Sequence, residues 1–203
     1  GLVPPGEFIG VLEDTGMMTI VGEWVLRSAC VQVCRWRAEG MAPLRVSVNV
    51  SPLQFQNNAF VPMVQRVLRE TGAPAELIEI ELTESLLIAN VEQARTTIRA
   101  LKALGLRISI DDFGTGYSSL SYLQRLPADI LKIDGSFVRA LDDGGVPIID
   151  ASVSLARAFG MKVVAEGIEQ PAQLEALIRL GADSVQGFLL AGHVCAVMGF
   201  WEY

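Results

Sequence analysis

Apolar residues recur along the chain at two spacings, one helical and one strand-like, and the two alternate from end to end. Residues 18–38 (MTIVGEWVLRSACVQVCRWRA) form an amphipathic run that Gly40 and Pro43 close. LRVSVNVS, 44–51, then alternates strictly, with Leu44, Val46, Val48 and Val50 on one face and Arg45, Ser47, Asn49 and Ser51 on the other. The same reading predicts helices at 59–71, 91–104, 146–159 and 171–180, and a short one near 118–125. Strands are predicted at 78–83 (IEIELT), 107–112 (RISIDD), 129–134 (DILKID), 162–166 (KVVAE) and 184–190 (SVQGFLL). Within IEIELT, Ile78, Ile80 and Leu82 oppose Glu79, Glu81 and Thr83. Gly72, Gly105, Gly160 and Gly181 each follow a helix and precede a strand, the usual left-handed helix stop. The opening GLVPPGEF reads as loop.

Repeated helix–strand units within one domain, 1–203, imply parallel strands. An open doubly wound sheet has uniformly apolar central strands. Here most strands place a polar or charged residue at alternate positions, late in the strand. That fits a closed barrel, whose second face lines the lumen and its mouth. The expected fold class is α/β, a TIM-type barrel. Six strands are visible, where a complete (β/α)8 barrel has eight.

Composition narrows the chemistry. Of 203 residues, 51% are hydrophobic and 19% charged, which excludes a disordered or collagen-like chain. Sixteen Lys and Arg against 23 Asp and Glu give a formal net charge of −7. A basic surface for a DNA or RNA polymer is therefore not expected. Mean hydropathy is high at +0.39, yet the longest apolar stretch, 146–165, is cut by Asp150, Arg157 and Lys162. No membrane span is predicted. Cys30, Cys34 and Cys195 form no metal pattern, and with no signal peptide visible they point to a reducing, cytoplasmic setting.

The ends of the strands carry the candidate site. Asn49, Glu81, Asp111 with Asp112, Lys132, Glu166 and Gln186 all fall at or near a strand's C-terminal end. In a barrel these converge on one rim. Taken singly, Asn49 reads as a strand-end turn, Glu81 as a surface charge and Lys132 as a solvated lysine; as a set they read as a site. Oxygen-rich donors suit Mg²⁺ or Mn²⁺, and the lone His193 stands outside the set. Neighbouring side chains on a strand point opposite ways, so Asp111 and Asp112 both reach a site only where the chain bends. The following FGTGYSSL supplies a bend through Gly114 and Gly116, with Thr115, Ser118 and Ser119 able to pin it. Two carboxylates at a bend can bridge a metal pair of the kind that hydrolyses phosphodiesters. A lysine among them orients a hydroxide without a lowered pKa.

These residues lie in motifs that resemble one family. VNVSPLQF (48–55), ELTES (81–85), DDFGTGYSSL (111–120), LKID (131–134), AEGIE (165–169) and VQGF (185–188) occur in the order known for EAL domains, and LVPPGEFI (2–9) is similar to a further family segment. The resemblance implies a barrel of the EAL kind and hydrolysis of cyclic di-GMP to linear pGpG with two Mg²⁺ or Mn²⁺. It places Asn49, Glu81 and Asp111 on the first metal, with Asp111 bridging. Asp112 falls on the second, which Glu166 serves directly or through water, while Lys132 falls on the attacking water and Gln186 in the substrate site. Glu84 matches the anchor of the DDFGTGYSSL loop, and a homodimer is implied. The Glu-Ala-Leu signature, which the family carries on a strand before the segment like LVPPGEFI, is absent there, and after Leu190 AGHVCAVMGFWEY departs from the family tail. The chain alone is accordingly expected to be weak or inactive. The alternatives are a degenerate EAL-like module that binds cyclic di-GMP or a protein without hydrolysis, and a different metal-dependent barrel enzyme with a lysine base.

Overall fold

The computed structural model describes residues 3–115 and 122–190, with the backbone of 194–195 and 200–201. The chain begins with α1 (Pro5–Asp14) and α2 (Met18–Ala38). Then come β1 (Val46–Asn49), α3 (Pro52–Gln56), α4 (Phe60–Thr71) and β2 (Ile78–Thr83). There follow α5 (Glu84–Ala89), α6 (Val91–Ala103), β3 (Arg107–Phe113), β4 (Ile130–Ile133) and α7 (Gly135–Arg139). The remainder is α8 (Val146–Ala158), β5 (Lys162–Ala165), α9 (Pro171–Leu180), β6 (Ser184–Val185) and the short pair β7 (Val194–Cys195) and β8 (Phe200–Trp201).

One sheet holds six strands in the order β1-β2-β3-β4-β5-β6, and the pairs from β3 to β6 are parallel. A doubly wound sheet reverses its strand order at a switch point, whereas a (β/α)8 barrel adds each strand beside the last. The sequential order is of the barrel type. β7 and β8 pair with each other, antiparallel.

Two compact units divide the chain: Gly1–Ile80 with Arg99–Arg107, and Glu81–Ile98 with Ile108–Tyr203. In the first, α2 packs on α4 through buried Leu26, Ala29, Cys30 and Val33, which meet a face carrying Val64 and Val67. Arg27 bridges to Glu70 at 2.7 Å and Arg66 to Glu23 at 2.8 Å across the same pair. Burial pushes the Cys30 thiol up to about 11, and the Cys34 thiol donates to Thr71 O at 3.5 Å, so both act as packing residues. In the second unit, α8 lies on β4 and β5 with Ile149, Val153 and Ala156 buried. Leu131, Ile133, Val163 and Ala165 lie fully buried in those two strands.

Gly72, Gly105, Gly160 and Gly181 all adopt positive φ, as helix stops require. Two expectations are corrected. GLVPPGEF is not loop throughout: α1 starts at Pro5, because proline at the first helical position gives up no hydrogen bond. The last strand ends at Val185, since Gly187 turns the chain so closely against Ile168 that a Cβ would fall 2.2 Å from its backbone N. The short helix near 118–125 is seen only as a 3₁₀ turn, Leu123–Arg125; its earlier residues, with Gly116, Ser118, Ser119, His193 and the Cys195 side chain, lie outside the described residues. Among the described residues, no helix is long and apolar enough to cross a membrane.

Candidate active site

Strand alternation selects which side chains meet. On β4, Leu131 and Ile133 share one face, so Lys132 points to the other. On β2 and β3 the same parity projects Glu81 and Asp111, and Glu166 follows β5 by one residue. The Glu166 N–H donates to Ile133 O at 3.1 Å, which extends the ladder one step and fixes where that carboxylate starts. These four residues meet. Lys132 Nζ lies 2.9 Å from Glu81 Oε1, 3.2 Å from Asp111 Oδ1 and 2.6 Å from Glu166 Oε1.

The cluster is buried, with side-chain exposures of 7% for Lys132, 8% for Glu81, 13% for Asp111 and 22% for Glu166. Glu81 and Lys132 are therefore neither a surface charge nor a solvated lysine. Burial disfavours the ammonium, but Glu81, Asp111 and Glu166 outweigh it and hold Lys132 well above the ordinary lysine range. Burial raises Glu166 against the opposing pull of Lys132, and Asp111 and Glu81 add to the rise. One cation faces three carboxylates, so the cluster carries excess negative charge. Asp111 Oδ1 is buried within ion-pair distance of Lys132 yet makes no hydrogen bond. Its lone pairs and the surplus of hard oxygen donors fit a divalent cation better than a second ammonium. Among the described residues, no group of three or more His, Cys, Asp or Glu side chains, this cluster included, already stands in metal-holding geometry, so the fit lies in the donor chemistry and not in a preformed cage.

The predicted bend is present, and it begins two residues before Gly114. Asp112 itself has φ 55, the described residues' one non-glycine at positive φ, and the β3–β4 register shifts between Ile110 and Phe113. This bulge sets Asp111 and Asp112 together opposite Lys132 and breaks the strict alternation after Asp111. Asp112 lies exposed at the bend; what desolvation it has raises its carboxyl, and Asp111 and Asp134 raise it further. Gly114 follows at φ 96, where a Cβ would fall 2.9 Å from Phe137 Cε2.

Glu84, 2% exposed at the first turn of α5, accepts from the Gly114 N–H at 3.1 Å and from Tyr122 Oη at 2.8 Å. Burial first, then Glu84, pushes the Tyr122 phenol far up, so it stays a donor. Tyr122 was not among the sequence candidates; its place just past DDFGTGYSSL was the available signal. Asp134 caps α7 through the Ser136 N–H at 2.9 Å and also accepts from the Ser136 hydroxyl. A cavity of about 390 Å³ beside the bend is lined by Thr83, Ser85, Ile88, Asp112 and Thr115.

Two further predicted residues lie at or just past strand ends. Asn49 closes β1, exposed, in the first unit. Gln186 follows β6 with an exposed side chain that makes no hydrogen bond among the described residues, while its backbone N–H donates to Ala165 O at 2.8 Å. The larger cleft, about 460 Å³ and lined by residues of α2, α3 and α4, touches no predicted site residue. The tripeptide Glu175-Ala176-Leu177 does occur, but on α9, where Glu175 is exposed and lies 3.9 Å from Arg179.

Comparison with known proteins bears on this geometry. The family model described as "EAL domain" matches residues 1–192. The bifunctional diguanylate cyclase/cyclic di-GMP phosphodiesterase MucR of Pseudomonas aeruginosa is 46% identical over 193 residues, covering 94% of this chain and 28% of that protein. The cyclic di-GMP phosphodiesterase PdeR of Escherichia coli is 40% identical over 199 residues, covering 97% of this chain and 30% of that protein. The chain thus spans under a third of these curated relatives. Among solved structures, the PaMucR phosphodiesterase in complex with c-di-GMP superposes with a TM-score of 0.91 at 43% identity, covering 95% of this chain and 78% of that one.

Proposed function

The chain belongs to the EAL domain family, and on that footing we propose that it hydrolyses one phosphodiester of cyclic di-GMP to give linear pGpG. The observation that carries this reading is the buried Lys132 with three carboxylates, from β2, β3 and the end of β5, on its one ammonium. EAL phosphodiesterases are metal-dependent in general, and the donor set here suits Mg²⁺ or Mn²⁺. On the family resemblance, Glu81, Asp111 and Asn49 would hold one ion, and Asp111 and Asp112 a second, which Glu166 would serve directly or through water. Bound divalent ions supply Lewis acidity at the phosphodiester. The reading takes residues 1–203 as one EAL-like domain and its partner as a second copy, on the family resemblance, and its setting as the cytoplasm, on the cysteine usage.

The chain's own residues then do three things. The Lys132 ammonium stays protonated and stabilises negative charge on the attacking oxygen. It gives up no proton near neutrality, so it is not the base. Glu166 Oε1, whose proton affinity burial raises, takes the proton from the attacking water. Gln186 serves the nucleotide, for which its amide offers both donor and acceptor.

Incubation of the chain with cyclic di-GMP and Mn²⁺, followed by chromatography, tests the proposal. Linear pGpG that disappears with chelator and in Asp111→Asn supports it. Nucleotide binding that ignores chelator, with no product, contradicts it and favours a receptor.

A further inference from the structure

The Glu84 carboxylate uses its two oxygens on residues eight positions apart: Oε2 accepts from the Gly114 N–H and Oε1 from the Tyr122 hydroxyl. Gly114 stands two residues after Asp112, at the end of the bulge that re-aims the aspartate pair. We propose that Tyr122 is a positioning residue for the metal-holding bulge, acting by holding Glu84 on the Gly114 backbone. The claim rests on the phosphodiesterase reading for its catalytic consequence, though its geometry does not.

The physical argument is one of constraint. Glu84 is 2% exposed and Tyr122 is 4% exposed, so neither trades its partner for bulk water without cost. A hydrogen bond to a carboxylate is charge-assisted and directional, and the Tyr122 ring is locked by burial. The phenol therefore sets where the carboxylate lies, and the carboxylate sets where the Gly114 N–H lies. Backbone position at Gly114 is inherited by Asp112, held at φ 55 without glycine's freedom. Support behind a ligand tunes the ligand, and losing it commonly costs metal affinity.

Tyr122→Phe removes the hydroxyl and keeps the ring. Amide exchange at Gly114 is measured in the metal-free chain, Mn²⁺ affinity by calorimetry, and kcat and KM on cyclic di-GMP. Faster exchange at Gly114 is expected, with metal affinity weakened roughly tenfold and kcat lowered at unchanged KM. Unchanged Gly114 exchange and metal affinity in Tyr122→Phe overturns the proposal. Should that variant fold poorly, Glu84→Gln gives the second arm. Combined with it, Tyr122→Phe then adds nothing further to the loss of metal affinity, and additive losses overturn the proposal. If the parent neither binds metal nor makes pGpG, the phosphodiesterase reading fails and Tyr122 loses its catalytic consequence. The metal-free exchange result reports separately whether the Glu84 clamp exists.

Discussion

At Lys132 a single ammonium, 5% exposed, faces Glu81, Asp111 and Glu166, so removing it and titrating it both act on stability. Lys132→Met keeps the stem and leaves buried carboxylates unpaired. It should cost the metal-free chain about 3 kcal/mol, seen by chemical denaturation, and Mn²⁺ should recover more stability in the variant than in the parent. Turnover should fall about 100-fold. The pH dependence follows from the sign of the shift. The folded value lies above the ordinary 10.5, so the lysine's contribution is complete below 10.5 and is lost as pH rises through the higher folded value. Denaturation of metal-free protein on either side of that pH should show the loss, and Lys132→Met should lack it. Glu166 is also raised, so ionising it opposes folding; Glu166→Gln should keep or raise metal-free stability at neutral pH while losing the response to metal.

At the scale of elements, β3 bends where its sequence is most acidic. Gly114 at φ 96 has Phe137 packed where a Cβ would go, so Gly114→Ala should cost about 1–2 kcal/mol in backbone strain alone, measured by thermal unfolding. Asp112→Gly should fold at least as well as the parent, because it relieves the φ 55 conformation, yet bind metal less tightly. Much of this was legible in sequence, and unevenly. The helix over 18–38 and the strand over 78–83 appear with those bounds, since long periodic runs declare themselves. The need for a bend between Asp111 and Asp112 followed from strand parity. Its start at Asp112, ahead of Gly114, did not, because positive φ at aspartate is a tertiary outcome. Short helices such as α5 and α7 span under two turns and give no period to read. Taken singly Glu81 reads as a surface charge, because alternation shows a second face without showing what covers it; only the set of strand ends makes it a site residue.

For the whole molecule, a formal charge of −7 and an acidic cluster oppose a dianionic nucleotide. Divalent ions must reverse the local sign, so chelator should abolish cyclic di-GMP binding rather than weaken it slightly. Ion binding to the folded state alone also stabilises it, and the unfolding temperature should rise with Mn²⁺ concentration. The sequential strand order is what makes the cluster possible, since neighbours in sequence become neighbours in the sheet. Calorimetric titration of Mn²⁺ into the chain in the presence of cyclic di-GMP puts the matter most directly. Saturable uptake of two ions per chain in the parent, lost in Asp111→Asn, is the result this account predicts. Tight nucleotide binding with no uptake of metal would contradict it.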